Sequence, residues 1–511
     1  RIYLQSTVMA QQRQNIYIGA PGFRGLNTED SPVGQDASFA SLAENAVIDK
    51  FGRIAARKGV KKVTSSTTPL GSSAGVEVIK EFIDRDGNVL VFSAGNNKIF
   101  TGTTSLTDIS SGLTISANNW QIVSFNGDAY FFQRGHDALK YTDSSSTLAA
   151  LSAHAPDANA VCAAFGRLWA VDVSGNKYTL FFSDSLDGSN WTGGSAGSLD
   201  ITTVWPSGYD ELTAVAQFND FLVIFGKRSI LLYSGASSPS SMTLADSIVN
   251  IGCIERDSVQ SNGSDLIFLS DSGVRSLGRV IQEKSNPIGN VSKNVRDTLM
   301  ESVRNQTSSI KSVYSPEESF YLLFLPTTLE VFVFDMRGTL EDGSYRVTTW
   351  VNNGATLLCG DRAADGTLFF GNALGINKYE GFLDNDNSYT MKYFTQPLSF
   401  GDPATLKMLK EINFTVVGGS GTTVVGNWAY DYTEGFSKQA FTVATSLIAE
   451  YGISEYNVSE SEYSATIVID VAKVKATGSG KVCTIGVEAT IDGRALSIQE
   501  LNTEAIIGRL I

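Results

Sequence analysis

The stretch Phe181–Gly194, "FFSDSLDGSNWTGG", holds residues that could do chemistry: two aspartates, three serines and a tryptophan on a glycine-rich turn. It is similar in content to the Ser/Asp/Trp boxes on the hairpins of some glycan-cleaving propellers. Those boxes place a residue between the aspartate and the glycine, whereas here Asp187 runs directly into Gly188. The simplest reading is an Asp-Gly turn pinned by Ser183 and Trp191. An enzymatic reading needs companions. Glycoside hydrolysis uses a carboxylate pair, or an arginine cluster with a tyrosine nucleophile in sialidase-like enzymes. The 53 acidic residues ensure that some carboxylates lie near each other, but no spacing marks such a set.

Other candidates fail on spacing. His136 ("RGHDAL") and His154 ("SAHAPD") are the only histidines and fall in different hairpin units, which argues against a two-histidine metal site or a histidine-based triad. "GSGKVC" around Lys481 has Lys475 where a phosphate loop needs its first glycine and Val482 where it needs Ser or Thr. "DNDNSY" from Asp384 lacks the glycine and the bidentate glutamate of a calcium loop, with Tyr389 and Thr395 in those places. The basic run "RKGVKK", Arg57–Lys62, is short and without interleaved aromatics, so it reads as a solvated hairpin or a subunit contact. Cys162, Cys253, Cys359 and Cys483 lie far apart in apolar settings and read as buried free thiols. No catalytic, cofactor-binding or metal-binding residue is assigned, and no cofactor is expected.

The elements around these residues are β. Glycine is abundant (48), proline scarce (11), and charged residues make up only 18%, a balance that favours strands and tight turns over long surface helices. A unit of turn, strand, turn, strand recurs seven times, as in "NGDAYFFQRGHDALKYT" from Asn126 and "FNDFLVIFGKRSILLYSG" from Phe218. Its second turn residue falls at Gly87, Gly127, Gly166, Asn219, Gly263, Glu318 and Gly366, at intervals of 39 to 55 residues. That is the period of propeller blades, and it predicts an all-β protein with a β-propeller of about seven blades, six to eight being compatible. A large β-sandwich, the rival, would show turns every 8 to 12 residues without the longer period.

Within this rhythm, "NVSKNVRDTLMESVRN" places Val291, Val295, Leu299 and Val303 four apart, predicting one short helix on the rim of the ring with Ser292 as N-cap. After about residue 388 longer alternating strands begin. Cys483, Ile485, Val487, Ala489 and Ile491 share one face, and Asp492-Gly493 is expected to turn the chain back into Leu496 and Ile498 as a hairpin. The expected organisation is an N-terminal arm with first strands over 1–69, a propeller body over 70–387 and a sandwich-like β domain over 388–511. The N-terminal arm is a candidate for closing the ring. Residues 1–8, ahead of a start-like Met9, are expected to be an upstream extension, and "AEYGISEYNVSESEYS", with Tyr451, Tyr456 and Tyr463, an extended arm. No segment reaches the roughly 18 apolar residues of a membrane span, and Arg1–Ala20 carries no apolar signal core.

Four stretches together resemble the tail tubular protein B, or nozzle, family of short-tailed bacteriophages (podophages). They are "GFRGLNTEDSPVGQDASFASLAENAVIDKFGRIAARKGVKKV" (Gly22–Val63), "FFSDSLDGSNW" with "DELTAVAQFNDFLVIFGKRSILLYSG", "NVSKNVRDTLMESV" leading to "SVYSPEESFYLLFLP", and "PLSFGDPATLKMLKEINFTV". The resemblance implies a structural virion protein of the tail, made and assembled in the host bacterial cytoplasm. It implies a homo-hexamer that forms a tube around the DNA exit channel and docks an adaptor ring and tail fibre proteins. Double-stranded DNA would pass through the lumen without specific binding. A net charge of −14 fits sliding better than gripping, because each phosphate contact to Lys or Arg would add a salt-dependent hold. The acidic excess is accordingly expected towards the lumen, the Arg57–Lys62 cluster towards protein partners, and the Tyr451–Tyr463 arm at the lining or a gate. The alternative is a glycan-binding or glycan-cleaving propeller acting as a receptor-binding tail protein.

Overall fold

The computed structural model describes residues 12–508, apart from 33, 66–69, 72–74, 152–153, 207, 284–289, 353–355, 434, 445–447, 450–461 and 464–468. Most of the expected tyrosine-and-acid arm, and the expected extension over residues 1–8, lie outside the described residues.

The chain forms two compact units. One comprises Arg1–Gly59, Arg346–Val351 and Glu380–Ile511, the other Val60–Tyr345 and Asn352–Tyr379. These limits differ from those read in the sequence at 69/70 and 387/388. Val60–Lys62 is a strand of the second unit, while Arg346–Trp350 pairs in parallel with Phe39–Glu44 in the first.

The second unit is a seven-bladed β-propeller. Its seven antiparallel sheets follow one another in sequence, with innermost strands Val78–Ile83, Gln121–Phe125, Ala158–Ala164, Leu212–Phe218, Gln260–Ser261, Lys311–Ser315 and Cys359–Arg362. Each innermost strand lies beside the next, the 3-10 turn Arg256–Ser258 filling the step from the fourth blade to the fifth, and Cys359–Arg362 returns to Val78–Ile83. The ring is therefore closed. The last blade takes its outermost strand, Val60–Lys62, from the start of the unit, where it pairs with Gly375–Tyr379, so the N-terminal segment closes the ring as expected.

The recurring hairpin is the second and third strand of each blade. The first strand is joined to the second by tight turns such as Asn126-Gly127 (φ 48° and 78°) and Phe165-Gly166 (φ 51° and 71°), where both central residues need the left-handed region that a type I′ turn demands. One such strand cannot bury both faces alone, and the ring supplies the second face. Phe92 meets Phe131 edge-on at 5.3 Å between blades one and two, Phe225 meets Phe268 at 5.2 Å between four and five, and Phe324 meets Phe370 at 5.7 Å between six and seven.

Two α-helices occur among the described residues, Leu277–Glu283 and Arg296–Arg304. The first was not anticipated. The second carries only the later half of the expected stripe, Leu299 and Val303; Val291 and Val295 are buried too but precede the helix, Val295 in the 3-10 turn Lys293–Val295. Ser292 does not cap it: the helix starts at Arg296, and the buried Ser292 hydroxyl accepts from the Val274 amide (3.0 Å) and donates to Asn290 Oδ1 (2.8 Å).

The first unit is a β-sandwich. Ile469–Lys475, Lys407–Gly418, Leu496–Ile507, Ile54–Ala56 and Ala46–Ile48 form one sheet, with Gln12–Gly19 added on Leu496–Ile507. Phe39–Glu44, Tyr389–Thr395, Cys483–Ile491, Thr423–Tyr430 and Ser437–Thr442 run in order through the other. Phe414 of the first sheet stacks on Phe441 of the second at 6.5 Å and 15°. Cys483, Ile485, Val487, Ala489 and Ile491 share a fully buried face, as their alternation requires. The turn at Asp492-Gly493, however, is not a hairpin. Cys483–Ile491 is already flanked by Tyr389–Thr395 and Thr423–Tyr430, so the chain crosses to the other sheet, where Leu496–Ile507 pairs with Lys407–Gly418.

Candidate functional site

The Phe181–Gly194 stretch turns the chain after the third strand of blade three. Its organiser is Asp184 rather than Asp187-Gly188. The Asp184 carboxylate accepts from the Ser195 amide (2.9 Å) and hydroxyl (2.7 Å), the Ser185 amide (2.8 Å) and Asn190 Nδ2 (3.2 Å). The Ser195 hydroxyl above all, with these amides, lowers its carboxyl to about 2. Ser183 and Trp191 do pin the turn: Ser183 Oγ accepts from the Leu168 amide at 3.0 Å, and Trp191 Nε1 donates to the Gly188 carbonyl at 2.9 Å. Three of these donors converge on Oδ1 and one on Oδ2, so the carboxylate is engaged in holding the turn.

The other sequence candidates are also spent on structure. Asp384, from the failed calcium loop, is fully buried and takes both Nη atoms of Arg57 at 2.8 and 2.6 Å. Arg57 also donates to Asn45 Oδ1 (3.0 Å) and lies over the Tyr389 ring at 4.3 Å. The basic run Arg57–Lys62 is therefore split: Arg57 faces its own sandwich, and Lys61 and Lys62 are exposed on the propeller's closing strand. The Lys481 amide donates to Asp431 Oδ1 in a turn. His136 lies at 3.4 Å from Ser116 Oγ, His154 is exposed, and no group of three metal-ligating side chains occurs among the described residues. The four cysteines are free; Cys253, Cys359 and Cys483 are buried and Cys162 is half-buried. No helix among the described residues is long and apolar enough to cross a membrane. In the sandwich unit a groove of about 340 Å³ is lined by Gln14, Asn15, Ile16, Gln35, Leu398 and Phe400, among others, and by no charged residue.

A charged cluster joins blades two, three, five and six at the centre of the ring. Arg256, in the link before blade five, donates to the carbonyl and Oδ1 of Asn159 at the start of blade three, the latter at 2.8 Å. Its other Nη reaches the carbonyl and Oδ1 of Asn119, just before blade two. Lys311, which opens blade six, donates to the same Asn119 Oδ1 and to Asp257 Oδ2 (2.6 Å). Blades two, three, five and six are not all neighbours, so side chains from their starts can meet only at the centre of the ring. Arg134, from blade two, completes the cluster with Asp172 of blade three, which also accepts from Asn159 Nδ2 at 2.9 Å.

Burial opposes ionisation of Asp257, but Arg256 and Lys311 outweigh it and hold its carboxyl below the usual range. Glu255 behaves in the opposite way. Burial, with Asp257 alongside, pushes its carboxyl up to about 7 against the pull of Arg256, Lys311 and Arg134. The only warning in the sequence was the charged triplet "ERD", Glu255–Asp257, just before a blade. Chemically, the arrangement ties nonadjacent blades together through paired charge and leaves one carboxyl raised to about 7.

No protein-family model matches the chain, and no curated protein sequence matches it. In fold it is similar to the extracellular domain of a hybrid two-component system from B. thetaiotaomicron, at 11% identity and a TM-score of 0.43 over 63% of this chain and 39% of that one. It is similar to virginiamycin B lyase from Staphylococcus aureus (10%, TM-score 0.38, 60% of this chain and 95% of that one) and to the Pan2 WD40 domain of Neurospora crassa (9%, TM-score 0.38, 63% and 94%). The chain spans about two fifths of the length of the first of these. Likenesses this distant carry no argument about function.

Proposed function

We propose that the chain is a structural component of a short-tailed phage tail, of the nozzle or tail tubular protein B kind, and that it acts by assembly rather than by catalysis. The observation that carries this reading is the fate of the polar residues in the Gly22–Val63 stretch, the longest segment of the family resemblance. Asn45 of "AEN" is buried and bonds Arg57 Nε, the Thr390 carbonyl and the Val351 amide. Arg53 of "FGR" pairs with Asp49 at 3.6 Å, and Arg57 pairs with Asp384. Gly59 lies where a Cβ would strike the Leu383 carbonyl. That Asn45, Arg53 and Arg57 of this motif are engaged inside the fold supports a scaffold, since a catalytic motif leaves groups directed at a substrate.

In this reading the DNA path runs outside the propeller ring, between copies of the chain, and the bonded charges that join blades two, three, five and six support it. In this reading six copies surround the lumen, the acidic excess faces the DNA, Lys61 and Lys62 face protein partners, and adaptor and fibre proteins dock on the outside. Repulsion from acidic walls acts over a Debye length of roughly 8 to 10 Å, enough to centre a sliding duplex. Imaging of the intact particle tests the proposal: six copies on the tail axis support it, and trimers at the periphery overturn it in favour of a receptor-binding propeller. A neutral or basic inner wall would refute the repulsive lumen alone.

A further inference from the structure

Lys311 and Asn119 meet at the centre of the ring with the groups that a transamidation requires around them. Lys311 Nζ donates to Asn119 Oδ1 and, at 2.6 Å, to Asp257 Oδ2. Arg256 Nη2 donates to the same Asn119 Oδ1 at 3.1 Å, and Asn119 Nδ2 donates to Ser309 Oγ at 2.8 Å. Two cationic donors on one side and a hydroxyl acceptor on the other fix which way the amide points. The Lys311 side chain is 9% exposed and that of Asp257 15%, so little water competes for the amide carbon.

We propose that Lys311 and Asn119 form an intramolecular isopeptide bond, Nζ to Cγ, that ties the start of blade six to the start of blade two across the ring. Lys311 as an ammonium gives one proton to Asp257. The freed lone pair attacks Cγ while the carbonyl pair moves onto Oδ1, where Arg256 Nη2 holds the charge. An Nζ already at Oδ1 needs only rotation of the lysine terminus to come over Cγ, within the roughly 3–3.5 Å of a near-attack pose. When the pair returns to the carbonyl, the Cγ–Nδ2 bond breaks. Nδ2 leaves with the second proton that Nζ sheds and takes up the one held by Asp257, so the products are a secondary amide and an ammonium ion, and nothing is oxidised. Ser309 Oγ, which already accepts from Nδ2, is placed to pass protons to it. Burial raises the Asp257 carboxyl, but Arg256 and Lys311 outweigh it; it is an ionised, weak acceptor, and a step taken once per chain tolerates the slow transfer this implies. The bond is a property of the propeller and is independent of the tail reading.

Mass spectrometry of the full chain tests it. The denatured wild type is expected to weigh one ammonia less than its sequence, and its tryptic digest to contain a branched peptide that joins the Asn119 and Lys311 segments, with no cleavage after Lys311. Lys311→Arg, which keeps the charge but is a far poorer nucleophile, should restore the full mass, and Asp257→Asn should leave most chains unjoined. A wild type at full mass with linear Asn119 and Lys311 peptides overturns the proposal. So does an ammonia deficit carried by a linear peptide, which is the mark of a succinimide at an asparagine. A branched peptide as abundant in Asp257→Asn as in the wild type overturns the role given to that carboxylate. If either variant fails to fold, the wild-type digest decides alone.

Discussion

Arg57 and Asp384 give the most demanding test of the packing. The Arg57 side chain is 1% exposed and that of Asp384 is not exposed at all. Replacing Arg57 with Met keeps much of the apolar stem but leaves a buried carboxylate without its cation, a loss of about 3–5 kcal/mol for a broken buried pair. The contact over Tyr389 at 4.3 Å adds about 0.5–2 kcal/mol. A total of about 4–6 kcal/mol is roughly a thousandfold or more in the folding equilibrium. Asp384→Leu alone should cost about as much, because it strands the guanidinium. Together the two substitutions remove both charges, and the double variant is expected to recover to within about 1–2 kcal/mol of the wild type. Equilibrium urea unfolding, followed by tryptophan fluorescence with Trp350 at 5.8 Å from Arg57 as a local reporter, measures all four corners of the cycle. A loss below about 1 kcal/mol for Arg57→Met, or a double variant as unstable as the sum of the singles, would refute the assignment of this pair as the sandwich's internal ion lock.

Gly59→Ala drives a methyl into the Leu383 carbonyl and should cost about 1–3 kcal/mol, whereas Gly435→Ala, with nothing nearby, should be neutral; thermal unfolding of the two compares them directly. Asp184→Ala removes the acceptor for Ser185, Asn190 and Ser195 and is expected to open 184–195 to limited proteolysis at pH 7, with unchanged cleavage refuting its organising role. Because the Asp184 carboxyl is lowered to about 2, its contribution in the wild type is complete above the ordinary value near 3.8 and fades as pH falls towards 2. Burial pushes the thiols of Cys253, Cys359 and Cys483 up to about 12, so at pH 8 a thiol reagent should label them roughly a thousandfold more slowly in the native protein than in urea; rapid native labelling of three thiols would contradict their burial.

What the sequence alone determined is local. Alternation of apolar residues and turns such as Asn126-Gly127 specify a hairpin within some twenty residues, and seven hairpins at blade spacing leave a ring as the arrangement that covers both faces of each. The helix face with Leu299 and Val303 and the strand face Cys483–Ile491 were legible for the same reason, since helix and strand periods are written into consecutive residues. What only the tertiary structure decided is pairing at long range. The turn at Asp492-Gly493 has the chemistry of a hairpin, yet it crosses between sheets because the edges of Cys483–Ile491 are already occupied. Arg57 looked like part of a solvated basic run until Asp384 met it in the sandwich, and Val60–Lys62 became the closing strand only because the seventh blade returned beside it. The axial cluster is the extreme case: Asn119, Asn159, Arg256 and Lys311 have no mutual spacing in the chain, and a closed ring brings them to one point. Burial there sets Glu255 and Asp257, two residues apart and both carboxylates, to opposite shifts. A carboxyl's charge depends on the donors and water it meets in three dimensions, and its neighbours in sequence do not supply them.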